Sequence, residues 1–214
     1  MISYWENKPE IANCLKIIIS RAVALLDKFL TREFSFLDAT RFTSWKIETF
    51  EVHVCNRIAT ETIYSVGVSF KTDSVKSPTE EAVPDGEGEL LADAWYDERK
   101  TIQLLFEKGY EPLICPNRRR SRGYYRKKSG ELYKQRRGIY RQRGRGESLF
   151  RSMTNEFGNR FKVMNETSMQ TRILARMISY QIKLLIRCSD KIISIDVLII
   201  KHAHTNNNFK YTLF

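Results

Sequence analysis

Three acidic residues, far apart in the sequence, have positions suited to holding divalent metal ions. Asp38 lies near the end of a predicted strand, Asp93 lies near the end of another, and Glu147 begins a predicted helix. Aspartate is a poor strand former, so an aspartate in a strand usually belongs to a turn or to a functional site. Three carboxylates drawn together repel one another unless cations neutralise them. Two Mg²⁺ or Mn²⁺ ions would do so, and such a pair supports cleavage and transfer of phosphodiester bonds.

Each of the three acids also has a simpler explanation. Asp93 could act as a turn or capping residue at a strand end, and Asp38 could be a solvated acid near a turn. Glu147 could interact favourably with the dipole of its helix, because it falls in the first turn. The residue types and their spacing leave these alternatives open.

Residues 118–145 form a strongly basic segment, with thirteen Lys or Arg and one acid. The segment carries a net charge of +12 and the whole chain +11, so the remainder is about −1. A local basic segment suits a polyanion, because each neutralised phosphate releases counterions. A solvated basic loop without a specific role is the alternative. The arginines expected to contact nucleic acid are Arg118, Arg119, Arg120, Arg136, Arg137, Arg145 and, beyond the segment, Arg151.

The hydrophobic pattern predicts the elements that position the acids. Alternating apolar residues or short apolar runs predict strands at 34–40, 50–58, 62–71, 90–95 and 110–115, and helical spacing predicts helices at 7–31, 98–108, 146–157 and from Thr167 onward. We expect the first three strands to form an antiparallel meander. If the fourth strand lies parallel to the first and beside it, the carboxylates of Asp38 and Asp93 come to the same edge of the sheet.

Two smaller features complete the prediction of elements. Asp97 is predicted to cap the helix at 98–108. Beyond Ser189 the apolar run at 192–200 is rich in β-branched residues and predicts a strand, followed by a polar, turn-rich end.

Length and composition limit the class of protein. A chain of 214 residues with 42% hydrophobic residues is expected to form one domain with one core. The sequence has no apolar run of roughly 18 residues and no signal-peptide pattern, so we expect an intracellular protein without a membrane partner. The four cysteines are scattered without a CxxC pair, which favours reduced thiols over a zinc site.

The residues around the acids resemble a known family. The segment 91–97, Leu-Ala-Asp-Ala-Trp-Tyr-Asp, resembles the Ala-Asp-x-x-Tyr-Asp stretch around the second acid of DDE transposases from prokaryotic insertion sequences. Tyr140, Arg143 and Glu147 match the Tyr-x2-Arg-x3-Glu signature around the third acid of that family. The segment 38–40, Asp-Ala-Thr, is similar to the motif at the first acid. The resemblance covers roughly residues 34–187.

The resemblance implies a ribonuclease-H-like α/β fold, with a mixed sheet of a three-stranded antiparallel meander plus two parallel strands, flanked by helices. It implies a catalytic domain over 34–188 with a basic insertion at 118–145. Residues 1–33 would form a helical segment that is shorter than the end-binding region of relatives, as in a truncated version of that region, and 189–214 a tail of uncertain structure.

The same resemblance implies a transposase that cleaves element ends and transfers them to target DNA. Asp38, Asp93 and Glu147 would be the catalytic metal ligands for two Mg²⁺ or Mn²⁺ ions, and Tyr140 and Arg143 would contact DNA phosphates. The implied partner is double-stranded DNA, bound by a homo-oligomer in the cytoplasm at the nucleoid. The family signature continues to a lysine where this chain has Thr154. The alternative is therefore an inactive transposase remnant or a basic module that binds DNA or RNA without catalysis.

Overall fold

A computed structural model describes residues 5–59, 62–117, 122–158 and 160–208 of the chain, except for the side chains of 147–150, 153, 157 and 191–208. In sequence order, the described elements are first helix α1 (Pro9–Phe29) and the strands β1 (Arg32–Ser44), β2 (Phe50–Ala59) and β3 (Thr62–Ser69). Helix α2 (Lys76–Ala82), strand β4 (Gly88–Ala92), a short 3-10 turn (Ala94–Tyr96), helix α3 (Arg99–Glu107) and strand β5 (Tyr110–Ile114) follow. The remaining elements are helix α4 (Tyr124–Gln135), helix α5 (Arg137–Tyr140), a second 3-10 turn (Arg141–Arg143), helix α6 (Gly144–Phe157), strand β6 (Arg160–Phe161) and helix α7 (Glu166–Asn208).

The described strands form one mixed sheet in the order β3-β2-β1-β4-β5, with β6 paired to the far end of β1. The hairpin-connected strands β1, β2 and β3 pair antiparallel, and β4 and β5 pair parallel. This confirms the predicted sheet, including the parallel placement of β4 beside β1. Helices flank the sheet, as expected for an α/β fold of the ribonuclease-H type.

The central strands are buried because apolar side chains lie on both of their faces. Phe36 and Leu37 in β1 and Leu90 and Leu91 in β4 have no exposed surface. Such continuous burial is typical of strands covered by helices on both sides. The described residues form one core cluster, which joins α1, the strands and the first half of α7.

The two helices at the ends of the described chain differ in detail from what the hydrophobic pattern predicts. The helix predicted at 7–31 is confirmed, but three of its apolar residues, Ile18, Leu25 and Phe29, are each almost half exposed. The predicted strand at 192–200 is wrong, because the backbone of α7 continues through it as helix to Asn208. A run of β-branched residues is compatible with either element, and here the preceding helix is extended instead of ended.

No helix in the described part of the chain combines the length and the apolar character needed to span a lipid bilayer.

Candidate functional site

The register between β1 and β4 brings two of the predicted acids together. The parallel pairs run from Ser35 with Leu90 to Leu37 with Ala92. The next residue on each strand is Asp38 and Asp93 respectively, so the two side chains lie side by side where β4 ends. Both line one pocket of about 450 Å³. We call this pair with its pocket the carboxylate edge.

The carboxylate edge lies at an open part of β1. Strand β4 pairs with residues 35–37 of β1 and strand β6 with residues 43–44, so residues 38–42 pair only with β2 among the described strands. The pocket is lined there by Ala39, Thr40 and Arg41 as well as by the two acids. Space for a ligand therefore exists beside β1 without any change in the sheet.

Helix α6 carries Glu147 past the same strand. A Cβ atom built on Gly146 would lie 2.3 Å from the ring of Phe36, so the helix backbone packs directly against that ring. Phe36 and Asp38 are two residues apart on β1 and therefore project from the same face of the sheet. The first turn of α6 thus crosses β1 close to Asp38. The side chain of Glu147 itself lies outside the described residues.

Of the three predicted carboxylates, the structure describes those of Asp38 and Asp93. Among the side chains that the structure describes, no three His, Cys, Asp or Glu residues form a group able to hold a metal ion. Asp38 and Asp93 supply two carboxylates at one pocket, and the backbone of Glu147 follows Gly146 directly. Carboxylate oxygens are the ligands that Mg²⁺ and Mn²⁺ prefer.

Tyr140 and Arg143 also lie near the carboxylate edge. The Nη1 atom of Arg143 is 3.8 Å from Oδ1 of Asp38, an ion-pair distance. Burial raises the pKa of the Tyr140 hydroxyl to about 12. The positive charge of Arg143 opposes this rise, whereas the negative charge of Asp93 contributes to it. The ring of Tyr140 packs edge-on against Tyr133, with 4.7 Å between ring centroids.

The basic segment is helical where it is described. We call α4, α5 and the turn that follows them, residues 124–143, the basic helices. Arg136 donates to Glu89 at 2.8 Å and also pairs with Glu111. Arg137 is exposed. Burial raises the pKa of the neighbouring Tyr133, and the charge of Arg137 opposes this rise.

The remaining predicted arginines occupy different surroundings. Arg145, after the basic helices, donates to Glu33 at 2.9 Å. The side chain of Arg151 is exposed, and its carbonyl oxygen accepts a hydrogen bond of 3.1 Å from the hydroxyl of Thr154. Arg118, Arg119 and Arg120 lie outside the described residues.

Asp97 has a role that the sequence did not indicate. The prediction that it caps the following helix is wrong, because the N-cap position of α3 is Glu98. Asp97 is 3% exposed, and its carboxylate accepts hydrogen bonds from the backbone N–H of Asn117 at 2.8 Å and from Nε of Arg126 at 3.0 Å. Asp97 thus attaches the basic helices to the loop that carries Asp93. The presence of an aspartate at position 97 was only a weak signal of this role, because turns and helix caps also use aspartate.

A buried aromatic group lies beside the pocket. His53 on β2 has no exposed surface, its Nδ1 atom is 2.9 Å from the hydroxyl of Tyr96, and its ring stacks on Trp95 with 5.1 Å between centroids. The Nε2 atom is 3.2 Å from Oε1 of Glu51, an ion-pair distance without the alignment of a hydrogen bond. Burial lowers the pKa of His53, and the nearby Glu51 carboxylate opposes this effect.

The same surroundings raise the pKa of Tyr96. Burial raises the pKa of its hydroxyl well above the ordinary value, and the negative charges of Asp38, Asp93 and Glu51 raise it further. Tyr96 therefore stays protonated at neutral pH, and its hydroxyl is retained as a hydrogen-bonding group beneath the carboxylate edge.

Comparison with known families gives one match. Residues 46–182 match the family model described as a transposase DDE domain, which is more than half of the chain and includes Asp93, Tyr140, Arg143 and Glu147. The match begins eight residues after Asp38. Neither a curated protein nor a solved structure gives a significant match to the chain.

Proposed function

The chain belongs to the DDE transposase-domain family, and from this premise we propose that it cleaves the ends of a transposable element and joins them to target DNA. The observation that carries this proposal is the parallel register that sets Asp38 beside Asp93 at an open pocket. The substrate class is double-stranded DNA, first at the element ends and then at the target. The proposed catalytic domain spans 34–188.

Asp38, Asp93 and Glu147 are the proposed ligands of two Mg²⁺ or Mn²⁺ ions. Asp38, inside β1, and Asp93, directly after β4, offer the oxygen atoms that such hard cations require. The contact of Gly146 with Phe36 supports delivery of the third carboxylate from α6. When bound, the ions would activate a water or a DNA 3′-hydroxyl and stabilise the leaving oxygen.

The chain's own side chains position the DNA around these acids. Arg143, 3.8 Å from Asp38, carries a positive charge to the place where the scissile phosphate would lie. Tyr140 offers a hydroxyl that stays protonated at neutral pH and can donate to a phosphate oxygen. Arg137 and Arg151, both exposed, and Arg118, Arg119 and Arg120 are proposed contacts along the DNA backbone.

Arg136 and Arg145 are weaker candidates for DNA contact. Both already pair with carboxylates of the protein, Arg136 with Glu89 and Glu111 and Arg145 with Glu33. Each can reach a phosphate only by giving up or sharing these partners.

A second function, DNA binding without catalysis, is favoured by the residue at position 154. Where the family signature has a lysine, Thr154 supplies a hydroxyl that bonds to the carbonyl of Arg151. The cation expected at this point of α6 is thus replaced by a neutral group. A homo-oligomer is expected for either function only by analogy with systems that join two DNA ends.

A cleavage assay separates the two functions. Duplex DNA carrying the sequences on either side of the gene is incubated with the full chain and Mg²⁺ or Mn²⁺, and the wild type is compared with Asp93→Asn and Glu147→Gln. We expect strand cleavage by the wild type and cleavage at the metal-free level for both variants. Glu131→Gln is the control, because Glu131 is an exposed acid on α4 and should leave cleavage unchanged.

The opposite results are equally clear. Wild-type cleavage that is absent, or equal in Glu147→Gln, would reject the catalytic function. Salt-sensitive DNA binding without cleavage would support the binding module.

A further inference from the structure

His53 is a polar side chain buried directly behind the carboxylate edge. It lies on β2, has no exposed surface, and is in contact with two aromatic residues of the turn that follows β4. A buried imidazole loses its hydration, and this cost is offset only where its ring nitrogens find partners. The partners of His53 therefore indicate what the side chain does.

The turn that His53 contacts is the one that presents Asp93. The pairing of β4 with β1 ends one residue before Asp93. Asp93 is the N-cap of the 3-10 turn Ala94–Tyr96. Its Oδ1 atom accepts from the backbone N–H of Trp95 at 2.8 Å, and its carbonyl oxygen accepts from the N–H of Tyr96 at 3.2 Å. The direction of the Asp93 carboxylate thus follows the turn, not the sheet.

His53 holds this turn through two of its residues. The hydroxyl of Tyr96 is 2.9 Å from Nδ1 of His53, and the indole of Trp95 stacks on the imidazole with 5.1 Å between centroids. Because burial raises the pKa of the Tyr96 hydroxyl, this group stays protonated and can donate to Nδ1. Burial also lowers the pKa of His53 and so favours the neutral imidazole, which has one acceptor nitrogen. The ring proton is then on Nε2, 3.2 Å from Oε1 of Glu51.

We infer that His53 is a positioning residue for the metal ligand Asp93 and acts through the hydroxyl of Tyr96. The inference rests on the proposed function, in which Asp93 holds a metal ion at the carboxylate edge. Metal ligands need supporting groups that fix their place to within fractions of an ångström. The sheet supports Asp38 directly, because β1 pairs with β2 on both sides of it. Asp93 depends instead on a turn that is attached to β2 through His53.

Two substitutions at position 53 distinguish the two ring nitrogens. In His53→Asn the side-chain carbonyl oxygen comes close to the former place of Nδ1 and can accept from Tyr96. In His53→Gln the longer side chain reaches toward the former place of Nε2 and leaves the Tyr96 hydroxyl without its acceptor. Both variants lose the imidazole and its stacking on Trp95, so a purely structural role predicts similar effects from the two.

The test measures Mn²⁺ binding by the full chain without DNA, from the electron paramagnetic resonance signal of free Mn²⁺. Binding that Asp93→Asn removes is assigned to the carboxylate edge. We expect Tyr96→Phe and His53→Gln to weaken it about tenfold, the lower end for groups that orient metal ligands. His53→Asn should retain most of the wild-type affinity.

Thr79→Val is the matched control for the loss of a buried hydroxyl. Thr79 has no exposed surface, donates to the carbonyl of Val75 at 2.8 Å and does not line the pocket. This change also removes one buried hydrogen bond, but it should leave Mn²⁺ binding unchanged. Weaker Mn²⁺ binding by Thr79→Val, equal to that of Tyr96→Phe, would assign the effect to lost stability and overturn the inference.

The double variant tests whether His53 and Tyr96 act as one unit. Tyr96→Phe combined with His53→Gln should weaken Mn²⁺ binding no more than either change alone, because both remove the same hydrogen bond. Cleavage should show the same pattern: more Mn²⁺ is needed for half of the maximal rate, while the rate at saturating Mn²⁺ changes much less. Additive losses, or equal effects of His53→Asn and His53→Gln, would overturn the inference.

A further readout is independent of metal. The chain has three histidines, and the nitrogen NMR signals of His53 are those that disappear in His53→Asn. We expect a bare Nδ1 and a protonated Nε2, with the Nδ1 signal moving in Tyr96→Phe as its hydrogen bond is lost. A proton on Nδ1 in the wild type would contradict the inference.

The outcome is separable from that of the proposed function. Mn²⁺ binding that requires Asp93 but is unaffected by Tyr96→Phe and His53→Gln would reject the positioning role alone. Absence of any Mn²⁺ binding that requires Asp93 would reject the metal centre, and the positioning role with it. The expected pattern of Mn²⁺ binding in a chain that cuts no DNA would reject the catalytic proposal and leave the role of His53 standing.

Discussion

The carboxylate edge and the basic helices are held in place by different forces. At the carboxylate edge, Asp38 and Asp93 extend from strands whose preceding residues, including Leu37 and Ala92, are fully buried. In the basic helices, Ser129 is the only side chain of α4 that is fully buried, and α5 has none. Their attachment relies on partly buried apolar residues and on ion pairs with acids of the sheet and its loops.

The difference assigns separate tasks to packing and to charge. Side chains that must meet metal ions need positions fixed to within fractions of an ångström, and a close-packed sheet provides this. Side chains that contact a DNA backbone can tolerate adjustment, and ion pairs at a surface can exchange one anion for another at little cost. The net charge of +12 predicted for residues 118–145 therefore overstates the charge available to DNA, because part of it is already paired within the protein.

The buried ion pair between Asp97 and Arg126 gives the largest expected effect on this comparison. Asp97→Ala should lower the free energy of unfolding by about 3–5 kcal/mol, because it leaves the guanidinium of Arg126 buried without its carboxylate. Urea unfolding measures the change. Asp85→Ala is the control, since the Asp85 side chain is 90% exposed and its loss should cost less than about 0.5 kcal/mol. A loss below about 1 kcal/mol for Asp97→Ala would show that charge contributes little to attaching the basic helices.

The contact between Gly146 and Phe36 gives the next largest effect. Gly146→Ala should lower the free energy of unfolding by about 1–3 kcal/mol, because a methyl group must displace a fully buried ring. It should also reduce cleavage, since α6 carries Glu147. Gly130→Ala is the control: a Cβ there meets nothing within 4 Å, so the change should stabilise the helix by up to about 1 kcal/mol.

A second substitution tests whether the effect of Gly146→Ala is local. Phe36→Leu in the same chain makes room for the new methyl group and should recover part of the lost stability, which thermal unfolding of the single and double variants measures. Strictly additive losses would mean that the helix and the strand do not press on each other at this point.

Removing either of two neighbouring arginines should affect DNA affinity differently. Arg137→Ala removes an exposed cation and should reduce the slope of log K against log salt by about 1. Arg136→Ala removes a side chain paired with Glu89 and Glu111 and should change the slope less, with a loss of stability of about 1 kcal/mol or less. Binding isotherms at several salt concentrations measure both. Equal changes in slope would imply that Arg136 leaves its carboxylates when DNA binds.

The smallest expected effect is a pH dependence of stability that arises from His53. Its pKa is lowered in the folded chain, so below the ordinary value of about 6.5 the unfolded state binds more protons than the folded state. Stability should consequently fall as the pH drops from about 6.5, by less than about 1 kcal/mol at pH 6 from this residue. His53→Gln should flatten that part of the curve of unfolding free energy against pH. An unchanged curve would assign the acid sensitivity to other groups.

The sequence predicted the carboxylate edge better than the basic helices. Strand periodicity located β1 and β4, and each predicted strand has an aspartate near its end. Assuming that the two strands are parallel neighbours then places Asp38 and Asp93 at the same edge of the sheet. These are local signals combined with one rule of sheet topology. The signals for the basic helices were charge and composition, which indicate an acidic partner but not whether that partner is DNA or a carboxylate of the same chain.

The contacts that the sequence did not predict join residues far apart along the chain. Gly146 meets Phe36 across 110 positions, and His53 stacks on Trp95 across 42. No periodicity links such pairs, because each depends on how separate elements pack. The role of Asp97 was missed for the same reason: its partner Arg126 lies in the segment taken only as a basic surface.

The position of β4 in the sheet makes the carboxylate edge depend on a long-range contact. β1 closes onto β2 through a short turn, but it receives β4 only after a separation of 55 residues. Contacts between distant segments carry a larger entropic cost and form later than local ones. We therefore expect the pairing of β1 with β4 to form after the local hairpins. Asp38 and Asp93 therefore come together only through a long-range pairing.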